Sequence, residues 1–228
     1  MNVLPRPARL LAVSTGRIEA FAAPSASRAP VPSAIRKRPV STLERPDRVA
    51  LHGRGLDGDE QADLRFHGGP TRAVYAYPSE HYAFWNTLRM QARNGGSLRA
   101  DPHAPPGAAP DGAPAPLPWG AMGENLTTAG LMETDLWIGD EVAIGAARLR
   151  VTAPREPCWK LGVALGFSWA PKMMVQSGFT GCYLAVIEPG NIAAGDEIVV
   201  HPGERVLSLR ESFAMRHHDS QASLFQDD

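Results

Sequence analysis

The sequence predicts a mainly β fold, a β-barrel with a few peripheral helices. Two observations carry this. Short apolar runs bounded by turn residues recur along most of the chain, while helix-period patterns are few. The 21 prolines and 22 glycines also exceed the usual share, which suits a loop-rich barrel or sandwich better than a helix bundle. With 228 residues and 43% hydrophobic content, the chain can build one large domain with a real core.

In chain order, residues 10–20 ("LLAVSTGRIEA") read as a first strand and 22–34, rich in Ala, Ser and Pro, as a loop. Arg36 to Val40 form a local basic cluster. Residues 49–78 read as strand, long glycine-rich loop, strand, with "RAVYAY" as the second strand. "PSEHYAFWNTLRM" then turns helical: Ser79 is the expected N-cap and Glu80 lies in the first turn. Tyr82, Trp85, Phe84 and Leu88 share its apolar face. Residues 101–118 hold seven prolines and no periodicity, and are expected to be a surface insertion within the domain. After Gly123, Leu126 begins a strand, "DEVAIG" and "ARLRVTAP" form a hairpin at Gly145, and residues 158–178 are helical in part, interrupted near Pro171. "GCYLAVIEPG" and "GDEIVVHPG" are further strands. The expected organisation is a barrel domain over 10–202, then a short helix (208–216) and polar tail within 203–228.

Charge and cysteine content exclude several classes. Lys plus Arg is 23 against 24 Asp plus Glu, so no basic excess points to nucleic acid. Two cysteines are no disulfide framework, and a reduced, cytoplasmic protein is expected. The apolar run Leu10–Val13 is too short for a signal-peptide core, and no stretch has the length of a membrane span.

Four segments could carry chemistry. "PREPCWKLG" holds Cys158 on a stem whose Pro154 and Pro157 fix two φ angles. Arg155 and Lys160 flank it, and a thiolate there would be a nucleophile or soft-metal ligand. An inert buried cysteine is the other reading, and the residues alone leave both open. No CxxC or HxxxH spacing supports zinc. A cysteine hydrolase would need a base such as His67, without a local signature. In "GLDGDEQADLRFHGGPTRAV", Gly68 and Gly69 allow close backbone approach and anion binding, flanked by His67 and Arg72. Asp59, Gln61, Asp63, Arg65 and His67 alternate, which places them on one face of an extended segment. The P-loop pattern is absent. In "GAMGENLTTAG", Glu124 and Asn125 could bind a polar ring edge or form an ordinary turn. Arg36, Lys37 and Arg38 could hold an anion or form a solvated edge strand.

Together and in this order, "PSAIRKRPV", the HGGP segment, the GEN segment, the PC segment and "GDEIVV" resemble the MOSC domain proteins, in their YiiM-like branch, over about residues 10–202. The resemblance implies a β-barrel that binds molybdenum cofactor, with Cys158 as the metal's protein thiolate. It implies reduction of N-hydroxylated purines or amidoximes to amines, with electrons from an external reductase, since no flavin or Fe–S motif is present. Pyridoxal phosphate is not expected. Lys37, Arg36, Arg72 and Arg155 become candidates for the pterin phosphate, Gly68 and Gly69 for backbone donors, and His67, Glu124 and Asn125 for the pterin ring or substrate. A carrier of cofactor or sulfur without turnover is the alternative. Cys182 is assigned to the core.

Overall fold

The structure, a computed structural model, describes residues 7–22, 29–64, 68–94 and 114–222. The strands are β1 (Ala8–Thr15), β2 (Glu19–Phe21), β3 (Val31–Ser33), β4 (Arg38–Thr42), β5 (Val49–His52), β6 (Gly55–Leu56) and β7 (Val74–Pro78). Helix α1 (Tyr82–Asn94) follows, then β8 (Leu126–Ala129), β9 (Glu141–Ile144) and β10 (Ala147–Pro154). Helices α2 (Trp159–Leu165) and α3 (Ala170–Ser177) precede β11 (Cys182–Glu188), β12 (Gly190–Ile192), β13 (Glu197–His201) and α4 (Leu209–Ala222).

Seven strands close into a barrel in the order β13, β9, β10, β11, β7, β8, β1 and back to β13. Each antiparallel pairing reverses strand direction, so a closed ring needs an even number of them. A seven-strand ring must therefore contain a parallel pair, and here it is β7 with β8. A parallel pair needs a long crossover. That is why α1 and the Pro/Ala-rich segment lie between these two strands. Strand β1 pairs with β8 along one edge. Its other edge is shared between β13 at Ala8–Arg9 and β4 at Ala12–Thr15.

Strand alternation divides the interior into two cores. On β7, Val74 and Ala76 point into the barrel with Leu10, Leu126, Ile144, Leu149 and Leu184. Tyr75 and Tyr77 point outward, into a second core with Trp85, Met122, Leu161, Leu165 and Met174. Both faces of β7 are thus buried, and the run reads as continuously apolar. Trp85 is fully buried and donates to Tyr77 Oη at 2.6 Å; replacing it with Ala would cost about 3–5 kcal/mol. Cys182 points into the barrel, where burial pushes its thiol pKa well up. It forms no disulfide with Cys158.

The hairpin at Gly145 is a two-residue turn, Ile144 pairing Ala147, with Gly145 at φ 55°. Gly166, at φ 60°, ends α2, and Pro171 sits in the first turn of α3, so the break lies a few residues before the proline. Four readings need correction. The first strand stops at Thr15 because the Gly16 N–H turns to Asp59 Oδ1 at 2.8 Å. Within the stretch read as loop, β3 pairs with β2. Ser79 does not cap α1: residues 79–81 form a 3-10 turn whose cap is Pro78, and Glu80 instead accepts from the Gly130 N–H. The C-terminal helix runs on to Ala222, through residues read as polar tail. Of the insertion, 101–113 lie outside the described residues. Its end is tied to α1, since Leu117 N–H donates to Asn86 and Arg89 donates to Ala115 O.

Candidate functional site

A cleft lies outside the barrel wall, where β10 ends. Tyr75 and Tyr183, opposite each other on β7 and β11, form its back, with ring centroids 5.3 Å apart. Ser33, which ends β3, lines it together with Ala34, Ile35 and Lys37 of the segment that follows. Residues 59–63 face it, and Arg155 and Cys158 come from the stem after β10.

The stem folds as its residues dictate. Pro154 ends β10 opposite Cys182. Cys158 then stands, extended at φ −139°, as the residue before α2, and its carbonyl accepts from Leu161 N–H at 3.0 Å. Trp159 leaves the cleft to pack on Phe21 of β2, with centroids 5.9 Å apart. Lys160 reaches Pro32 O at 3.2 Å, tying the start of α2 to β3.

Arg155 is buried. It donates to Met122 O at 2.8 Å and lies 5.1 Å from the Tyr75 ring centroid. Burial by itself would lower its pKa, but the negative charge that Tyr75, Cys158 or Tyr183 would carry on ionising acts the other way, and the balance lies above the usual value. Burial likewise raises the pKa of Tyr75 and Tyr183, so both stay neutral hydroxyls beside it. Arg72 lies over the Tyr183 ring at 5.6 Å and also lines the cleft.

The opposite wall is organised by Asp59, which the sequence reading did not single out as a site residue. Its carboxylate accepts from Gly16 N–H at 2.8 Å, Lys37 Nζ at 2.5 Å and Asn125 Nδ2 at 2.9 Å. The Lys37 and Asp59 side chains are only 8% and 3% exposed. Asn125 joins this cluster to the barrel. Its N–H donates to Tyr75 O, its Oδ1 accepts from Tyr75 N–H, and its Nδ2 also reaches Ser14 O. It thereby extends the parallel β7–β8 pairing by one side chain, using both ends of an amide that Asp or Leu cannot mimic.

Several candidates sit elsewhere. Glu124 does not line the cleft. It is fully buried and accepts from Tyr82 Oη, Gly120 N–H, Met122 N–H and Thr127 Oγ1. Desolvation raises its pKa despite these donors. It holds the 120–124 turn in shape from behind. Arg36 points away, over the Phe21 ring at 5.0 Å and 3.2 Å from Glu19. The Gly69 N–H is taken by Gln61 Oε1 at 2.9 Å, and neither Gly68 nor Gly69 lines the cleft. His67 and Arg65 lie outside the described residues. The alternation over 59–63 does not survive as a strand face: all five residues border the cleft, because Gln61 folds the loop back with bonds to Arg54 O and Ala73 O.

The structure therefore brings together Cys158, Arg155, Arg72, Lys37 and Asn125, and adds Asp59 and Lys160. Such an arrangement offers one soft sulfur ligand among cations. Among the described residues, no group of three or more His, Cys, Asp or Glu side chains could hold a metal ion unaided. No described helix is long and apolar enough to cross a membrane.

Known proteins share this frame. YiiM of Escherichia coli (strain K12) is 34% identical over 206 residues, covering 90% of this chain and 78% of its own length. A protein named "Reductase" from Gibberella moniliformis (strain M3125 / FGSC 7600) is 33% identical over 218 residues, or 93% of this chain, which spans only 33% of that protein. The crystal structure of YiiM from Geobacillus stearothermophilus superposes with a TM-score of 0.65 at 27% identity, covering 93% of this chain and 85% of that one. The MOSC domain model matches residues 63–199, from the cleft loop after Asp59 to the last barrel strand. On that match and these likenesses, the chain belongs to the MOSC domain family.

Proposed function

We propose that the protein is a molybdenum-cofactor-dependent reductase of N-hydroxylated compounds such as hydroxylaminopurines and amidoximes. One observation carries the reading: the Cys158 thiol lines a cleft whose other described cations, Lys37, Arg72, Arg155 and Lys160, suit an anionic cofactor. A relative named for reductase activity supports it.

The donor set fits such a group. A thiolate is a fitting ligand for a soft metal, and with no local cluster to complete the coordination, the remaining ligands would come from the cofactor. When bound, the cofactor supplies a two-electron metal centre able to accept oxygen. Cys158 would hold the metal, and Arg72, Lys37, Arg155 and Lys160 would neutralise the phosphate. The Asp59–Asn125 pair would keep the Lys37 wall in place. Overall, R–NHOH, two electrons and two protons give R–NH2 and water. Of the carboxyl groups that border the cleft, Asp59 is engaged by Lys37 and Asn125, so a proton for the substrate would come by way of Glu60 or Asp63. The electrons come from a separate reductase, and a reducing, cytoplasmic setting suits the two thiols.

The test is turnover of benzamidoxime or 6-hydroxylaminopurine, with an artificial electron donor, by protein made in a cofactor-producing host. Amine formation that is lost in Cys158→Ala is the expected result. A molybdenum-loaded protein with no turnover would replace the reductase with a cofactor carrier.

A further inference from the structure

Helix α4 reaches back to the cysteine stem. Arg216 Nη1 lies 2.9 Å from Glu156 Oε1, and His217 Nε2 lies 2.8 Å from Glu156 Oε2. One carboxylate is thus gripped at both oxygens by consecutive residues of a helix about 60 positions away in sequence. Glu156 is two residues before Cys158, and only Pro157 separates them. Pro154 and Pro157 fix φ on either side, so a displacement at Glu156 has few soft torsions in which to dissipate before the thiol.

The helix is itself well held. Ser208 and Glu211 cap it reciprocally, through Ser208 N–H to Glu211 at 2.9 Å and Glu211 N–H to Ser208 Oγ at 3.1 Å. Leu209 N–H bonds Leu136 O at 2.9 Å, and Leu209 and Phe213 are buried. The Phe213 ring lies 4.4 Å from His217, steadying the imidazole that meets Glu156.

We infer that Glu156 is a positioning residue for Cys158, gripped by α4 so that the helix sets where the thiol stands. This gives the C-terminal helix a part in the proposed reaction, and it rests on that reading only for its functional meaning. Thiol reactivity tests it without any cofactor.

The assay follows iodoacetamide alkylation of Cys158 in the full chain. Cys182, 2% exposed, reports global opening. Glu156→Ala removes an anion, and Arg216→Ala with His217→Ala removes the two groups that grip it, the Arg216 cation among them. A purely Coulombic influence on the thiol would make the two sets differ in sign, faster for the first and slower for the second. A loosened stem makes both faster. Each is expected to raise the rate about two- to fivefold, the factor that a half-exposed ion pair is worth. Combining them should add nothing further, because both break one link. Glu156→Gln, which keeps an acceptor, should fall between. Unchanged rates, or opposite directions from the two sides, overturn the inference. Should an Ala variant label Cys182 as fast as Cys158, it has opened globally. Glu156→Gln then decides, and an unchanged Cys158 rate there overturns the inference. Loss of metal or turnover in these variants with labelling unchanged still overturns the inference and leaves the cofactor reading to its own test.

Discussion

Replacing Asp59 with Asn is nearly isosteric, yet it should be among the most damaging single changes near the cleft. Asp59 Oδ1 accepts from Gly16 N–H and Lys37 Nζ, and Oδ2 accepts from Asn125 Nδ2. Every neighbour is a donor, so in either orientation an amide sets its own N–H against at least one of them. The ammonium of Lys37, 8% exposed, also loses its counter-charge. Breaking a buried pair from one side costs about 3–5 kcal/mol. For a chain of this length each kcal/mol lowers Tm by about 2–4 °C, so a drop of roughly 6–20 °C is expected. Differential scanning calorimetry of D59N and wild type measures it, with K37M/D59L as the companion that removes both charges. The double variant removes the uncompensated charge but still strands the Gly16 N–H, so it should recover only part of the loss. A D59N drop below about 2 °C would refute the reasoning, because it would mean that water reaches Lys37 freely.

Glu124→Ala strands four donors in the interior at about 1–3 kcal/mol each and should not yield folded protein, whereas Glu124→Gln keeps three and should cost about 1–3 kcal/mol in denaturant melts. Burial raises the Glu124 pKa, so its contribution is full below the ordinary carboxylate range and is lost as pH rises through the raised value. The stability of wild type relative to Glu124→Gln should therefore fall as pH rises, and a gap that widened with pH would contradict the placement. Gly181→Ala should destabilise by at least about 2 kcal/mol, because φ is 61° and a Cβ would stand 2.3 Å from Ala76 O. Thermal melts that match wild type would show that the strand start can shift. Asn125→Leu should lower both stability and cofactor retention, since it uncouples Asp59 from the β7–β8 pair. Retention of both would contradict its bridging role.

What the sequence disclosed followed from local physics. Short strands, the Gly145 turn and "RAVYAY" as a strand are written in residue period and turn chemistry, and the barrel class follows from them. Closure and the parallel β7–β8 pair are long-range pairings that no local pattern encodes. The stem of Cys158 was visible because two prolines and a lone thiol are unusual neighbours. Glu124 shows the opposite case: a polar residue in a glycine turn reads as a ligand, but its donors come from Tyr82 and Thr127, as well as from its own loop. Asp59 was visible only as one member of an alternating polar run. Its partners Gly16, Lys37 and Asn125 are 22 to 66 residues distant, so its importance lay in tertiary contacts. The grip of α4 on Glu156 was equally hidden, because Arg216 and His217 look like an ordinary polar surface until the helix docks.

Whether Cys158 holds molybdenum is read most directly from the metal itself. Full-length protein from a cofactor-producing host should carry about one molybdenum per chain by plasma mass spectrometry, through its thiolate ligand. Cys158→Ser, folded to the same melting profile, should carry little. Metal near zero in wild type, or a loading unaltered by Cys158→Ser, would contradict the assignment of this cleft to the cofactor.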